Sequence, residues 1–206
     1  MKKNLFLFLF VVFSFCSFGQ KVADVFKTMP DSLLPCLSED NKIMMLVDTG
    51  RTVIPYQLGE FEKLNHTDSY LNIRTSEAGT TQIKVLPLIN NTKIVCVIQT
   101  ACAMVCDSQI SFYTTEWEKL DKTSLLPLIN VESFFDSSKK GSDNYNFALS
   151  LPDISPIEAR FEGGGDDLTF SLDLSSYLPQ EDAAQMKPFL KKEQIVLKWN
   201  KTGFQP

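Results

Sequence analysis

One stretch near the end of the chain constrains the fold more than any other. Leu168, Phe170, Leu172 and Leu174 alternate with Thr169, Ser171, Asp173 and Ser175. A period of two puts one face of an extended chain into a core and leaves the other wet, the pattern of an antiparallel sheet covered on one side. The same period recurs earlier. From Tyr70, Leu71 and Ile73 alternate with Asn72 and Arg74; Ile83 and Val85 alternate with Gln82 and Lys84; Ile110 and Phe112 alternate with Ser111 and Tyr113. Gly79 and Asn90-Asn91 mark turns between these runs, because Gly and Asn tolerate positive φ. Ile94 to Ile98 is apolar on both faces and reads as a central strand. These segments predict a four-stranded antiparallel meander. A second group follows a connector running from Trp117 to about Asn144. It comprises Tyr145 to Leu151, Ile157 to Phe161, Leu168 to Leu174, and Ile195 to Trp199.

Helical signals come first in the chain. Val22, Val25, Phe26 and Met29 fall at helical spacing before Pro30, and Asp31-Ser32-Leu33-Leu34-Pro35 opens a short apolar turn. Ser38 caps a further helix with Glu39 and Asp40 in its first turn, where the dipole favours acids. Ile43, Met44, Leu46 and Val47 give that helix an apolar face, and Gly50 fits its C-terminal cap. A last helix begins near Pro179. Ser32-Leu33-Leu34-Pro35 recurs as Ser124-Leu125-Leu126-Pro127, each copy ahead of four predicted strands. The expectation is therefore an α+β fold: N-terminal helices, then about eight antiparallel strands in two groups of four. Residues 20–206 read as one domain, or as a tandem pair of α-β4 units over 20–117 and 118–206.

The N-terminus sets the compartment. Lys2 and Lys3 precede an apolar run from Leu5 to Phe15, too short for the roughly 20 residues that span a bilayer. Ser17-Phe18-Gly19 is a small–large–small cleavage pattern, so residues 1–19 read as a secretory signal peptide cut after Gly19. Cys16 offers a lipid-attachment alternative, weakened by the bulky Phe15 before it. The leader holds two lysines and no acid, so residues 20–206 carry −7 where the whole chain carries −5. That balance speaks against nucleic-acid binding, which uses basic patches to neutralise phosphate. After the leader, Lys139-Lys140 and Lys191-Lys192 are the two lysine pairs, each read as solvated. No transmembrane segment is expected after the leader.

Chemistry-bearing motifs are few. Four cysteines follow the leader: Cys36, Cys96, Cys102 and Cys106. Cys102 and Cys106, four apart, are the candidate disulfide, with buried free thiols as the other reading. A redox dithiol is disfavoured, because such sites use two intervening residues at a helix start. Asp48-Thr49-Gly50 mimics an aspartic-protease motif, but the second motif needed for a carboxylate dyad is absent. His66 is the one histidine, so no multi-histidine metal site can form. Gly163-Gly164-Gly165-Asp166-Asp167 lacks the alternating acids of a calcium loop and the helix and Lys of a phosphate loop, and reads as a hairpin loop. Tyr113 and Trp117 are the candidate partner surface; covering the sheet edge is the equal alternative. No catalytic residue, metal ligand or cofactor site is assigned.

Val25-Phe26 with Met29 to Pro35 resembles the opening of a family of exported Bacteroidales proteins catalogued only as a domain of unknown function. Tyr70-Leu71, Leu86-Pro87, Asp107-Ser108, Phe112-Tyr113 and Trp117 resemble its middle. The resemblance implies an exported location and no particular activity. The leading functional expectation is a non-enzymatic binding or accessory module, periplasmic or on the cell surface, with an unknown protein or envelope ligand as partner. The alternatives are a periplasmic hydrolase using carboxylates such as Asp166 and Asp167, or a structural component of an envelope assembly.

Overall fold

The computed structural model describes residues 20–47, 50–174, 176–191 and 194–206. The leader, Cys16, the Asp48-Thr49 half of the protease-like motif, and Lys192 lie outside the described residues.

Two short helices, α1 (Val22–Lys27) and α2 (Glu39–Val47), precede seven strands: β1 (Val53–Tyr56), β2 (Gly59–His66), β3 (Tyr70–Ser76), β4 (Gly79–Pro87), β5 (Lys93–Cys102), β6 (Cys106–Thr114) and β7 (Lys119–Leu120). They form one antiparallel meander in sequence order. A connector with short 3-10 turns leads to α3 (Asp143–Ser150), β8 (Glu158–Phe161), β9 (Leu168–Ser171), α4 (Gln180–Met186), β10 (Gln194–Trp199) and β11 (Phe204–Gln205). These four strands make a second antiparallel sheet in the order β11-β10-β9-β8.

The predicted meander corresponds to β3 through β6. The expected four-and-four division is corrected to seven and four, and helices are not confined to the N-terminus. β1 escapes the alternation rule because it is four residues long and contains Pro55, which suits an edge strand. β2 escapes because two of its buried residues are Glu62 and Lys63. The strand expected over Tyr145 to Leu151 is the helix α3. Its apolar letters fit either period, and the cap decides: Ser142 Oγ accepts the Tyr145 N–H at 3.2 Å, and Tyr145 and Ala148 fall one turn apart on the buried face.

Three layers result. On one face of the seven-stranded sheet, Val22, Val25, Phe26, Leu37 and Met45 from the helical layer pack on Phe61, Leu71, Ile73, Ile83, Val95 and Val97. On the other, Leu86, Ile94, Cys96, Ile98 and Phe112 meet Ala159, Phe161, Leu168, Phe170 and Leu197 of the second sheet. β5 thus sends successive residues into two cores, which is why its run is apolar throughout. A third cluster gathers Tyr145, Ala148, Leu174 and Met186 around α3 and α4; Leu174 leaves the sheet for it, ending β9 at Ser171.

The join between sheets is polar and specific. β8 is an edge strand, and its outward N–H groups find side-chain acceptors on the larger sheet. Ile157 donates to Asp107 Oδ1 at 3.1 Å, Ala159 to Ser108 Oγ at 2.9 Å, and Phe161 to Gln82 Oε1 at 3.0 Å. An edge that would invite another strand is closed internally.

Candidate binding surface

Five consecutive apolar residues, Ile43 to Val47, form the second half of α2. At roughly 100° per residue they encircle the helix. Met45 is buried and Leu46 packs beside it on the helix-side core. Ile43, Met44 and Val47 point the other way and are 47%, 56% and 79% exposed. The expected inward face is thus corrected: the stripe formed by Ile43, Met44 and Val47 faces out, and Lys42 faces in. Lys42 fixes that orientation. Its Nζ, almost wholly buried, donates to the Met29 carbonyl at 2.7 Å and to Asp31 Oδ1 at 2.9 Å. Its partners sit just after α1, so α2 can make both bonds only with this side inward. Lys63 Nζ adds a second tether, donating to the Met45 carbonyl at 2.8 Å. A helix that is apolar all round needs cover on every side, and here the outer side has none among the described residues. Leu64, at the irregularity where β2 shifts register against β3, and Val53 are further exposed apolar residues, on the strands next to α2.

Several buried ionisable groups are committed to the fold. Buried Glu62 pairs with both Arg51 and Arg74. Lys84 donates to Ser69 Oγ at 3.0 Å, to the Gly164 carbonyl at 2.6 Å, and to Asp166 Oδ1 at 2.8 Å. Ser69 beside a buried lysine has the outline of a serine–lysine nucleophile pair, but a general base needs a free lone pair. An ammonium whose three N–H groups are all engaged supplies none. The glycine loop therefore clamps Lys84. Gly164 holds φ +83°, and a Cβ there would meet Tyr70 and Thr67 at 3.5 and 3.6 Å. Asp166 is spent on the same clamp, and Asp167 stands exposed.

His66 borders a hollow of about 280 Å³ with Arg51, Glu62 and Asn65. Burial and then the Lys63 ammonium lower the pKa of its imidazole, opposed by Asp68. Tyr70 OH donates to Gln82 Oε1 at 2.9 Å, and burial, then the Glu162 charge, push its pKa up to about 12. Three carboxyl groups are pulled below the usual range, each first by a side-chain hydrogen bond: Asp121 from Thr123, Glu132 from Lys140, and Asp136 from Ser138. A general acid at neutral pH needs the opposite shift. Among the described residues no group of three or more His, Cys, Asp or Glu could hold a metal ion.

Cys102 and Cys106 are register partners at the end of the β5–β6 hairpin and are joined as a disulfide. Cys36 is an exposed thiol and Cys96 a buried one; burial pushes the Cys96 pKa up. Tyr113 is buried in the helix-side core. Trp117 lies against it at 5.5 Å between ring centroids, and its Nε1 donates to the Val25 carbonyl and to Thr28 Oγ1, both at 3.2 Å. This pair locks α1 onto the sheet, and its polar atom is used in doing so. Periodicity missed the surface that the structure does expose; the signal available was the unbroken Ile43–Val47 run directly after Lys42.

Two larger grooves, each about 650 Å³, lie elsewhere. One runs along Leu88, Ile94, Leu120 and Leu125, the other between Leu172, Leu174, Ala183 and Met186.

Residues 14–204 match the model of the family described as "Protein of unknown function (DUF3256)". The chain belongs to that family. No curated protein matches it. Among solved structures it is similar to one described as a domain of an uncharacterized protein from Porphyromonas gingivalis W83. The two share 23% identity with a TM-score of 0.76, over 89% of this chain and 96% of that one. At that identity the likeness establishes a shared fold, and the source organism agrees with the Bacteroidales resemblance. Neither the family description nor the structural relative specifies a function. No helix among the described residues is long and apolar enough to cross a membrane.

Proposed function

We propose that this protein is an exported, non-enzymatic binding or accessory module of the bacterial envelope, and that it binds through the outward face of α2. One observation carries the reading: α2 is turned so that a lysine is buried and Ile43, Met44 and Val47 are left in water. An exposed Leu or Val alone is ordinary, whereas a contiguous apolar stripe opposite a buried cation asks for a partner. Of the two carboxylates named for a hydrolase, Asp166 is engaged by buried Lys84, which also donates to Ser69 and Gly164 and so ties the two sheets together, and this supports binding over hydrolysis. The leader pattern of residues 1–19 supports export.

The test is site-specific photocrosslinking in the native host. A photoreactive residue replaces Met44 in one strain and Leu58, a still more exposed position at the β1–β2 turn, in another. The reading expects a crosslinked adduct from position 44 and none from position 58. Equal labelling at both positions, or none at either, overturns it. N-terminal sequencing of the same material checks export: a chain beginning at Gln20 agrees, and retained Met1 in a cytosolic fraction does not.

A further inference from the structure

We infer that the hollow between the 3-10 turns of the connector and the segment following α4 is a binding site for a phosphate group, free or as a monoester. It is a second site, independent of the α2 face. The two lysine pairs lead to it. They are distant in the sequence, and the fold brings them together. Phe135 forms an antiparallel bridge with Leu190. Beside it the Lys191 N–H donates to the Phe134 carbonyl at 3.0 Å and the Asp136 N–H to the Phe189 carbonyl at 2.7 Å. Lys140 and Lys191 thereby line one hollow of about 390 Å³. Lys139, next to them, is spent on the Pro188 carbonyl and on the face of the Phe189 ring.

The hollow is rich in donors and poor in open acceptors. Lys191 makes no side-chain hydrogen bond or ion pair among the described residues. Lys140 gives one N–H to Glu132 at 2.7 Å and keeps two. The Asn130 side-chain oxygen caps the turn Val131–Phe134, which leaves its amide NH2 free, and the Ser137 hydroxyl has no partner among the described residues. Tyr145 decides the reading. It is 1% exposed and lines the hollow, yet its hydroxyl reaches only Glu132 Oε1, at 3.5 Å, beyond the roughly 3 Å of a good O–H···O bond. Buried hydroxyls are ordinarily well bonded, so this donor is kept for a ligand. Glu132 is the one carboxylate lining the hollow and is already met by Lys140. Asp136 is turned to Ser138, accepting its N–H and O–H. Two ammonium groups and three neutral donors suit a phosphate monoester, which brings nearly two charges and three acceptor oxygens; a carboxylate brings one charge and two. The whole chain carries −5, so binding of an anion depends on this local arrangement and not on a general attraction.

The test is an NMR titration of the processed protein, expressed from the complete sequence with its leader, at constant ionic strength. The probes are inorganic phosphate, glucose 6-phosphate and acetate. Phosphate and the sugar phosphate are expected to move the amide signals of Ser137, Lys140, Tyr145 and Lys191 saturably, with acetate about tenfold weaker or more. Tighter binding of the sugar phosphate identifies an ester as the ligand; equal or tighter binding of inorganic phosphate identifies the free ion. Lys191→Met is expected to weaken binding about tenfold, and Tyr145→Phe, which keeps the packed ring, about fivefold. Lys119→Met makes the same charge change at an exposed position on β7 and is expected to leave binding unchanged. Lys191 and Lys119 are both exposed, so these variants keep their fold, and unchanged melting midpoints check this. Shifts that do not saturate, acetate binding as tightly as phosphate, or equal losses in the Lys191 and Lys119 variants overturn the site. The photocrosslink at position 44 is read separately, so failure here leaves the α2 reading standing.

Discussion

Asp166→Ala should destabilise the protein more than Lys84→Met, although both break the same ion pair. Lys84 is almost fully buried, while Asp166 is 49% exposed at its side chain. Removing the lysine returns Asp166 to water at little cost. What remains is the Gly164 carbonyl, left without its 2.6 Å donor, and the Ser69 hydroxyl, which can turn to solvent. A methionine of similar length refills the channel with apolar contact. An orphaned carbonyl costs about 1–3 kcal/mol, partly offset by that packing, so the net loss is about 1 kcal/mol. Removing Asp166 instead leaves a buried ammonium with two neutral acceptors and no counter-charge. Breaking a fully buried pair costs roughly 3–5 kcal/mol; the open side of this site admits water, which brings the expectation to about 2 kcal/mol. For a chain of this size each kcal/mol moves the melting midpoint by roughly 2–4 °C. Urea unfolding followed by tryptophan fluorescence measures both variants, and hydrogen exchange over Gly163 to Asp167 shows where the loss occurs. If Lys84→Met proves the more damaging change, or Asp166→Ala is neutral, the glycine loop is not a clamp and Lys84 is free for other work.

Tyr70 should make the fold alkali-sensitive. Its pKa is raised in the folded chain from 10.0 to about 12, so the folded state holds the phenolic proton more tightly, and this stabilisation, complete below pH 10, is lost as pH rises through about 12. Tyr70→Phe should remove that pH dependence, as read from urea midpoints across the range. His66 acts at the other end: its lowered pKa means the unfolded chain takes up the proton first, so stability falls as pH drops below about 6.5, and His66→Gln should flatten that limb. Replacing Cys102 and Cys106 by serine should cost about 2 kcal/mol by loop entropy and raise hydrogen exchange at Asp107 and Ser108, which hold β8; an unchanged midpoint refutes the role. Trp117→Phe keeps an aromatic ring, though a smaller one, and loses the indole N–H shared by Val25 and Thr28; it should cost about 1 kcal/mol or more with exchange rising across α1.

Strands whose burial is set by apolar letters alone are legible in the sequence. β3, β4, β5 and β6 follow from alternation or from an unbroken apolar run, and the turns at Gly79 and Asn90-Asn91 follow from the backbone freedom of those residues. What hides β2 is charge used internally: Glu62 and Lys63 break the apolar pattern, yet both are buried because Arg51, Arg74 and the Met45 carbonyl, from other segments, satisfy them. α3 is hidden for a different reason. Tyr145, Phe147, Leu149 and Leu151 alternate as a strand would, but Ser142 offers a cap, and the helix then buries Tyr145 with Ala148 and leaves Phe147 out. A local hydrogen bond outweighs an equivocal pattern.

The candidate surface was legible in its letters and illegible in its direction. Periodicity groups Ile43, Met44, Leu46 and Val47 on one face and assigns it to the core because burial of apolar area is the dominant favourable term; of these only Leu46 packs inward. α2 breaks the inference because its turn is apolar all round, so Met45 and Leu46 can supply the core while the other three are left over. The choice between the two faces then falls to Lys42. Burying an ammonium without acceptors is prohibitive, but the Met29 carbonyl sits next to Pro30, which has no N–H, and Asp31 follows with a carboxylate; together they form a ready acceptor pair across the turn from α1. A cation buried on one side of a helix whose last turn and a half is apolar all round thus identifies the opposite side as surface. That gives Lys42→Met a definite consequence: freed from its tether, α2 can roll and bury Met44, and the stripe should lose photocrosslinking at position 44 while overall stability changes by less than about 1.5 kcal/mol. Retention of full crosslinking in Lys42→Met would show that packing of Met45 alone sets the helix's orientation.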